Sequence, residues 1–477
     1  MSENNLLLAY YGDDFTGSTD AMEALASNGY RTMLFLEPPS PEMLENLNGV
    51  QCIGIPGTSR ARNPEEMEQE LRPVFESLFK LKTNVIHYKT CSTFDSNPEV
   101  GSIGKAIEIA LDYTEEFQKT VPIFVATPPL GRYTLFGNHF AKMYDTVYRL
   151  DRHPTMSKHP MTPMNESDLR VHLNKQFQTP KQIGLMDMVE LSRGYSNVKE
   201  VYEQKLASNN DIILLDGLDN SHCQTVGRLL WEKSHEGIRF VVGSSGVEYA
   251  LTAEWNRQGL QASSNKKEQT KIPAAHQVLV VAGSCSPITK NQIETAIEAG
   301  FVGIQIFPQD IINKEELPQD LLDKVIKHIN NDESVILYTA LGPEDPTIAE
   351  TRKLFDEMGI EKRESGELIG SQLGKLTLEI MKATNIRRII AAGGDTSGFV
   401  TKELKLFALE MVLPIDPGVP LCCGYSSDPN INGIEIALKG GQMGSPEFFV
   451  KIKEAASSDA TYNRSSENIN YNGSVTK

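Results

Sequence analysis

Carboxylates and hydroxyl groups are concentrated near the start of the chain. The stretch GDDFTGSTD at residues 12–20 follows a short apolar run and places Asp13 and Asp14 side by side, with Thr16 and Ser18 close behind. Paired carboxylates can accept hydrogen bonds from the hydroxyls of a ligand, and one of them can remove a proton as a general base. The stretch therefore indicates binding and activation of a hydroxyl-bearing molecule at the end of a strand.

Cationic side chains follow later apolar runs in the same half of the chain. Arg60 lies in GTSR, Lys89 lies in HYKTCSTFDS together with Asp95, and Arg132 lies in PPLGRYT. Cations hold a carboxylate through charge-assisted hydrogen bonds, so the combined set suits a small polyhydroxylated acid. A simpler interpretation is that one of the two adjacent acids caps the following helix and that the cations are solvated surface residues. Similar chemistry at four strand ends favours a binding site.

Three glycine- and hydroxyl-rich clusters follow apolar runs in the second half of the chain. They are AGSCSP at 282–287, AAGGDTSG at 391–398 and KGGQMG at 439–444. Glycines let backbone amides approach an anion, and a helix that begins directly afterwards adds its positive end. Each cluster alone is also explained by the steric needs of a tight turn. Neither G-x-x-x-x-G-K-[ST] nor a G-x-G-x-x-G after a strand is present, so a bound nucleotide requires a different fold.

Apolar runs alternate with helical patterns in both halves of the chain. LLLAYY, TGSTDAMEALASNG and YRTMLFL predict a strand, a helix and a strand, and a second series of this kind begins at HQVLVVAGSCS. Such alternation predicts parallel sheets. The expected fold class is α/β with two domains, each a mainly parallel sheet flanked by helices. In open α/β sheets ligands bind at the carboxyl ends of strands.

The domain boundaries follow from changes in composition. NRQGLQASSNKKEQTK has few apolar residues and no periodicity, which is typical of a linker. We expect a ligand-binding N-terminal domain at 1–260, a linker at 261–272, a second domain at 273–455 and a disordered Asn- and Ser-rich tail at 456–477.

Composition excludes several classes of protein. The 477-residue chain has 63 acidic and 46 basic residues and a net charge of -17, so nucleic acid and anionic membranes are not expected partners. The six cysteines have no metal-ligand spacing. His153 and His159 in RLDRHPTMSKHPMTPM are too far apart for one helical turn, so no metal site is predicted. That stretch is expected to lie near the active site or to reach a partner subunit, which makes a homo-oligomer a candidate assembly. No signal peptide or apolar run of about 18 residues is present, and we expect a cytoplasmic protein.

The quoted stretches together resemble one known family. GDDFTGSTD, GTSR, KTCSTFDS, RLDRHPTMSKHPMTPM, GSCSP, AAGGDTSG and ALKGGQMG, in this order, are similar to the four-carbon acid sugar kinase family over about residues 6 to 452. The resemblance implies that the N-terminal domain binds a sugar acid, that the C-terminal domain binds ATP, and that the γ-phosphoryl group crosses the cleft between the domains. It also implies ATP and Mg²⁺ as cofactors.

The resemblance and the residues together give a set of expected site residues. By motif, the ATP contacts implied are Ser284, Gly393, Gly394, Asp395, Thr396 and Gly441. Many family members have glutamate where this chain has Asp395, which leaves the role of that carboxylate open. The expected substrate contacts are Asp13, Asp14, Ser18, Arg60, Lys89 and Asp95. Three carboxylates remain candidates for the catalytic base, namely Asp14, Asp95 and Asp395.

Substrate and function have alternatives. The opening stretch and the long His-Pro loop are most similar to the family members that phosphorylate 3-oxo-isoapionate, a branched five-carbon oxo acid, to its 4-phosphate. Kinases of 3-oxo-tetronate, threonate and erythronate share the same motifs. A non-catalytic sugar-acid sensor would keep the acids and cations but would not need three phosphate-type loops. A dinucleotide oxidoreductase would need the missing G-x-G-x-x-G.

Overall fold

The chain divides into two compact units. The computed structural model describes residues 6–45, 49–114, 118–260, 272–307, 317–360 and 362–456. The units are Met1–Ser263 and Ser264–Lys477. Nearly all of the predicted linker and the predicted tail lie outside the described residues, so those two segments stay predictions.

The first unit contains an eight-stranded parallel sheet. Its strands are β1 (Leu6–Gly12), β2 (Thr32–Phe35), β3 (Cys52–Pro56), β4 (Thr83–Lys89), β5 (Val121–Phe124), β9 (Ile183–Met186), β10 (Ile212–Leu215) and β11 (Phe240–Gly243). Their order is β2-β3-β1-β4-β11-β5-β10-β9, and the neighbouring strands pair in parallel. Apart from the edge strand β9, the strands are almost wholly buried, which explains their continuous apolar runs, because helices cover both faces of a parallel sheet.

A small antiparallel sheet and a set of helices complete the first unit. The small sheet consists of β6 (Arg132–Leu135), β7 (Asn138–Met143) and β8 (Thr146–Arg149). The helices are α1 (Phe15–Ser27), α2 (Pro41–Glu45), α3 (Pro64–Lys80), α4 (Ile103–Leu111), α5 (Leu169–Asn174), α6 (Met188–Leu191), α7 (Tyr195–Ala207), α8 (Asn220–His235) and α9 (Gly246–Gln258). Helix α3 shows how local sequence sets a boundary, since Asn63 and Glu66 form a capping box around Pro64 at its first position.

The second unit contains a seven-stranded mixed sheet. Its strands are β12 (Leu279–Ala282), β13 (Val302–Gln305), β14 (Val335–Tyr338), β15 (Arg388–Ala392), β16 (Leu406–Asp416), β17 (Val419–Ser426) and β18 (Ile434–Lys439). Their order is β13-β14-β12-β15-β18-β17-β16; β16 and β17 are antiparallel to their neighbours in this unit, and the other pairs are parallel. The helices are α10 (Pro287–Glu298), α11 (Gln319–Asn330), α12 (Pro346–Glu357), α13 (Lys362–Ala383), α14 (Gly394–Glu403) and α15 (Phe448–Glu454).

The predicted α/β class with mainly parallel sheets is confirmed, and two features were missed. One is the small sheet β6–β8. The other is the β16–β17 hairpin, whose turn at Pro417-Gly418 has the proline and the positive φ, 75° at Gly418, of a tight turn. Among the described residues, no helix is long and apolar enough to cross a membrane.

Candidate functional site

Three neighbouring strands of the first unit bring acids and cations to one edge of the sheet. Strand β1 lies between β3 and β4, and all three are parallel. Asp13 follows β1, Arg60 lies on a short 3-10 helix after β3, and Lys89 ends β4. The backbone N–H of Arg60 donates to the carbonyl oxygen of Asp13 at 3.0 Å, and that of Asp13 donates to the carbonyl of Lys89 at 3.0 Å. The fold therefore brings together residues that are up to 76 positions apart.

The guanidinium of Arg60 is shared by the two adjacent acids. It donates to both oxygens of Asp13 at 2.6 and 3.1 Å and to Oδ2 of Asp14 at 2.7 Å. The side chain of Asp13 is only 3% exposed. Burial raises the pKa of Asp13, and the positive charge of Arg60 opposes this shift. Arg60 is therefore an internal counterion rather than a solvated surface cation.

Lys89 is also buried, and its partner is an acid that the sequence analysis did not select. Its side chain is 2% exposed, and its Nζ lies 3.4 Å from Oδ2 of Asp20 on α1. Burial alone would lower the pKa of Lys89, but the carboxylates of Asp20, Asp13 and Asp14 raise it. A Cβ atom added to Gly17 would lie 2.7 Å from this Nζ, so a larger residue there would displace the ammonium of Lys89. Asp20 is one helical turn from Gly17 and so lies on the same face of α1, but no signal in the sequence identifies Lys89 as its partner.

Asp14 and Ser18 hold the start of α1. Oδ1 of Asp14 accepts the N–H of Gly17 at 2.7 Å, so Asp14 caps the helix as well as binding Arg60. Ser18 is fully buried, and its hydroxyl donates to the carbonyl of Asp14 at 2.7 Å. Both side chains thus have structural partners, and their predicted substrate contacts stay predictions.

Within the described residues, the side chains of Asp95 and Arg132 have fewer charged partners than those of Asp13 and Arg60. One oxygen of Asp95 accepts the hydroxyl of Thr93 at 2.8 Å. Arg132 donates through Nη1 to the carbonyls of Leu130 at 2.9 Å and Lys142 at 3.2 Å, and its buried Nε has no hydrogen-bond partner within the described residues. No carboxylate of those residues lies within ion-pair distance of Arg132.

Charge links Arg132 to the other residues of this edge. Burial lowers the pKa of Arg132, and Cys91, Asp95 and Asp20 act against that shift. The residues that these contacts and charges connect are called the acid–cation cluster and are Asp13, Asp14, Asp20, Arg60, Lys89, Asp95 and Arg132.

The three glycine loops of the second unit converge in the same way. They follow β12, β15 and β18, which are consecutive in the sheet order. The backbone N–H groups of Gly283 and Ser284 donate to the carbonyl of Ala392 at 3.1 and 3.2 Å, and that of Gly393 donates to the carbonyl of Lys439 at 2.9 Å. The three glycine clusters, which are far apart in the sequence, are therefore neighbouring loops joined by backbone hydrogen bonds.

Glycine is required where these loops touch. A Cβ atom on Gly441 would lie 2.4 Å from Oγ of Ser284, and one on Gly393 would lie 2.9 Å from Oγ1 of Thr396. Gly393 also has a φ of 130°, a conformation that other residues rarely adopt. Gly394 is exposed, and a Cβ atom there would meet nothing within 4 Å. The N–H of Gly393 is already donated to the carbonyl of Lys439, so the backbone amides left for a ligand are those of the first helical turn, which begins at the exposed Gly394.

Two helices begin at the converging loops. Ser286 caps α10 by accepting the N–H of Thr289 at 3.0 Å, whereas Gly393 at the start of α14 makes no side-chain cap. The first turn of α14 carries the exposed carboxylate of Asp395. Helix N-termini carry partial positive charge, so the arrangement suits an anion.

The sequence analysis missed a lysine in this region. Nζ of Lys439 donates to Oγ1 of Thr289 at 3.1 Å, and that hydroxyl donates to the carbonyl of Gly441 at 3.0 Å. A cation at the end of an apolar strand, directly before two glycines, was the available signal. The residues that meet here are called the glycine–hydroxyl cluster and are Ser284, Ser286, Thr289, Gly393, Gly394, Thr396, Lys439 and Gly441.

Three of the histidines have hydrogen-bond partners within the protein. His87 is buried in β4, with Nδ1 2.7 Å from Oε1 of Glu248. Nδ1 of His153 accepts two backbone N–H groups at 3.3 Å, and Nδ1 of His159 accepts the N–H of Thr162 at 3.1 Å. Among the described residues, no three or more His, Cys, Asp or Glu side chains are placed to hold a metal ion together.

Family models match both halves of the chain. A sugar-binding N-terminal domain matches residues 8–251, and a nucleotide-binding C-terminal domain matches residues 279–449. These two matches define the class as a two-domain protein that binds a sugar and a nucleotide. The chain belongs to the four-carbon acid sugar kinase family, and the prediction of a sugar-acid kinase is confirmed at this level.

Individual relatives agree with the family assignment. The chain is 40% identical over 457 residues to a 3-oxo-isoapionate kinase of Paraburkholderia graminis, a match that covers 94% of each chain. It is 29% identical to a 3-oxo-tetronate kinase of Pseudomonas savastanoi, with 96% of this chain and 99% of that one covered.

Solved structures share the fold. Crystal structures from Salmonella typhimurium LT2 and Haemophilus influenzae match with TM-scores of 0.73 and 0.69, each at 23% identity. The matches cover 94% of this chain and 98% and 99% of theirs. The likeness supports the α/β fold of the chain.

Proposed function

We propose that this protein transfers the γ-phosphoryl group of ATP to a hydroxyl of 3-oxo-isoapionate and produces the 4-phosphate. The observation that carries the proposal is the difference in identity between relatives. The chain is 40% identical to a 3-oxo-isoapionate kinase, against 29% and 27% for two 3-oxo-tetronate kinases over similar lengths. The acid–cation cluster and the glycine–hydroxyl cluster supply chemistry for the two substrates.

Arg132 is the cation that we assign to the carboxylate of the acid. Arg60 is engaged by Asp13 and Asp14, and Lys89 faces Asp20, so these two cations are already compensated. Arg132 has a buried Nε without a hydrogen-bond partner in the described part of the chain. A substrate carboxylate would satisfy that donor and supply the ion-pair partner that Arg132 lacks among the described residues. This assignment modifies the prediction that Arg60 and Lys89 hold the carboxylate.

Asp95 is the carboxylate that we assign to the hydroxyl that reacts. Both oxygens of Asp14 already accept hydrogen bonds, from Gly17 and Arg60, whereas Asp95 has one hydroxyl donor, Thr93. An oxygen with free acceptor capacity can accept the substrate hydroxyl proton. The remaining carboxylates of the cluster accept hydrogen bonds from the other hydroxyls.

The glycine–hydroxyl cluster is the binding site that we assign to ATP. The uncapped N-terminus of α14 and the neighbouring N-terminus of α10 suit phosphate oxygens. Mg²⁺ would neutralise charge on the triphosphate, and Asp395 is the residue that would hold it, since this ion is usually bound by one or two carboxylates together with substrate phosphates. In the reaction the substrate oxygen forms a bond to the γ-phosphorus, the bond from that phosphorus to the bridging oxygen breaks, ADP leaves, and the hydroxyl proton passes to Asp95.

The test is ADP release by the purified protein with ATP and Mg²⁺. The acids to compare are 3-oxo-isoapionate, 3-oxo-tetronate, threonate and erythronate, with a reaction lacking acid as the control. Highest kcat/KM for the branched acid is the expected result. Activity on a four-carbon acid alone would overturn the substrate and keep the kinase. No ADP release with any acid, and no thermal stabilisation by ATP, would favour a sensor that binds the acid without catalysis.

A further inference from the structure

Lys439 differs from the other buried lysines of the described residues. Three lysines there have side chains that are almost inaccessible, namely Lys89, Lys233 and Lys439. Lys89 faces Asp20, and Lys233 pairs with Glu203 and Glu236. Lys439 is 1% exposed and has no carboxylate within ion-pair distance among the described residues. A buried charge without a counterion is costly, so this position calls for an explanation.

The ammonium of Lys439 has unused hydrogen-bonding capacity. An ammonium carries three N–H donors. The contact found for Nζ is the hydroxyl of Thr289 at 3.1 Å. Burial lowers the pKa of Lys439 to about 8, and no neighbouring acid opposes this shift. An anion that approaches Nζ would fill the remaining donors and favour the charged form.

The surroundings of Lys439 are built for an anion. The hydroxyls of Thr289 and Ser286 both donate to the carbonyl of Gly441, which ties the lysine to the loop after its own strand. Ser286 and Thr289 lie at the N-terminus of the twelve-residue helix α10. The N-terminus of α14 follows Gly393 and has no side-chain cap. Two helix dipoles and one ammonium therefore place positive charge on one group of loops.

The charged side chains on the packed elements do not compensate Lys439. Glu435 on β18 pairs with Arg388 on β15, and Lys290 on α10 lies 3.8 Å from Glu294. The other charged groups on the adjoining elements are Glu298 on α10, Asp395, Lys402 and Glu403 on α14, and Glu410 and Asp416 on β16. The hydroxyl of Tyr425 donates to Glu410, and Asp416 is paired with Lys451. None of them is among the causes of the lowered pKa of Lys439, which is burial alone.

We propose that the ammonium of Lys439 is the protein's counterion for the phosphate groups of the nucleotide bound at the glycine–hydroxyl cluster. The proposal rests on the proposed use of ATP and adds a residue to it. Lysine binds phosphate as a point charge, so its effect grows with the charge of the ligand. Lys439 therefore sets affinity according to the number of phosphates and makes no contribution to recognition of the nucleoside.

The first test compares a phosphate series in two variants. Dissociation constants for adenosine, AMP, ADP and ATP are measured for the wild type, for Lys439→Met and for the control Lys382→Met, an exposed lysine of α13 that pairs with Glu379. Lys439→Met should weaken ADP and ATP about 10- to 150-fold and leave adenosine unchanged. The control should match the wild type. An equal loss for all four ligands would show a structural lysine and overturn the proposal.

The second test uses the wild-type protein and so does not depend on the folding of a variant. ADP binding is measured by calorimetry at pH 8 in buffers of different ionisation enthalpy, a pH at which the ligand phosphates are fully ionised. A rise in the pKa of Lys439 from about 8 should cause proton uptake when ADP binds, and the uptake should be smaller at pH 7, where the free lysine is already mostly protonated. The measurement is repeated at pH 9 and 10, and ADP binding without proton uptake at any of the three pH values would overturn the role of Lys439 alone. Absence of any nucleotide binding would overturn the proposed function as well.

Discussion

The two clusters differ in how their charges are balanced. In the acid–cation cluster, Arg60 and Lys89 are held by Asp13, Asp14 and Asp20. In the glycine–hydroxyl cluster, backbone amides, hydroxyls and one unpaired lysine meet, with no acid beside that lysine in the described residues. A cluster whose charges are paired except at Arg132 suits a ligand with many hydroxyls and a single negative charge. An uncompensated positive cluster suits a polyanion. The difference indicates which ligand each unit can bind.

The largest effect that we expect tests the assignment of the base to the acid–cation cluster. Asp95→Asn removes the proton acceptor and should lower kcat by about 10²- to 10⁴-fold, with a much smaller change in KM for the acid. Steady-state kinetics with the best acid substrate measures both constants. Glu99→Gln, an exposed acid of the same loop, is the control and should retain wild-type kinetics. An unchanged kcat in Asp95→Asn would leave Asp14 and Asp395 as the candidates.

Replacing Arg60 tests whether it neutralises the carboxylates of Asp13 and Asp14 in the acid–cation cluster. Arg60→Met leaves the buried carboxylate of Asp13 without its counterion and should lower the free energy of unfolding by about 3–5 kcal/mol. Urea unfolding followed by circular dichroism measures this change. Arg72→Met removes an exposed arginine that pairs with Glu68, and little change is expected. Equal stability of the two variants would contradict the internal counterion role of Arg60.

The first unit also contains a buried carboxylate, that of Asp216, whose hydrogen-bond donors are backbone N–H groups. Asp216 accepts the N–H groups of Phe136 at 2.5 Å, Gly137 at 3.0 Å and Met188 at 3.2 Å, and burial raises its pKa from 3.8 to about 6. Because the folded state binds this proton more tightly than the unfolded state, Asp216 contributes stability below pH 3.8 that is lost as the pH rises through 6.

The consequence is a pH dependence that a variant should remove. Between pH 4 and 7 the free energy of unfolding of the wild type should fall by about 2 kcal/mol relative to Asp216→Asn, which does not titrate. Urea unfolding of both proteins at several pH values tests this. Parallel stability profiles would mean that the carboxyl of Asp216 has an ordinary pKa.

The smallest effect concerns the uncompensated cation of the first unit. Arg132→Met should raise KM for the acid about 10- to 150-fold, because a charge-assisted hydrogen bond to the carboxylate is lost, and should leave KM for ATP unchanged. Arg170→Met, which removes an arginine already paired with Asp168, is the matched control. If the KM for the acid is unaltered in Arg132→Met, Arg132 does not bind the substrate carboxylate, and Arg60 and Lys89 are again the candidates for that role.

Much of the fold was predictable because its signals are local. Apolar runs that end in glycine or polar residues predicted β1, β3 and β4, and the same pattern predicted β12, β15 and β18. The small sheet β6–β8 was not predicted. Its strands are short and more exposed than the central strands, so they lack a continuous apolar run.

The candidate residues were predictable by type and position but not by partner. Asp13, Arg60 and Lys89 were selected because they follow strands, and the structure places them together. Asp20 was missed because its role depends on which face of α1 meets Lys89. Ser18 was selected for its hydroxyl, which the fold directs to the backbone.

The sequence alone determined the fold class, the family and the strand ends that carry the chemistry, because these depend on local patterns and ordered motifs. The tertiary structure alone decided which charges are compensated. Arg60 and Lys439 both follow apolar strands, yet one faces two carboxylates and the other faces a threonine hydroxyl. A charge is neutralised by what lies within a few ångströms of it in space, and those neighbours are distant in the sequence.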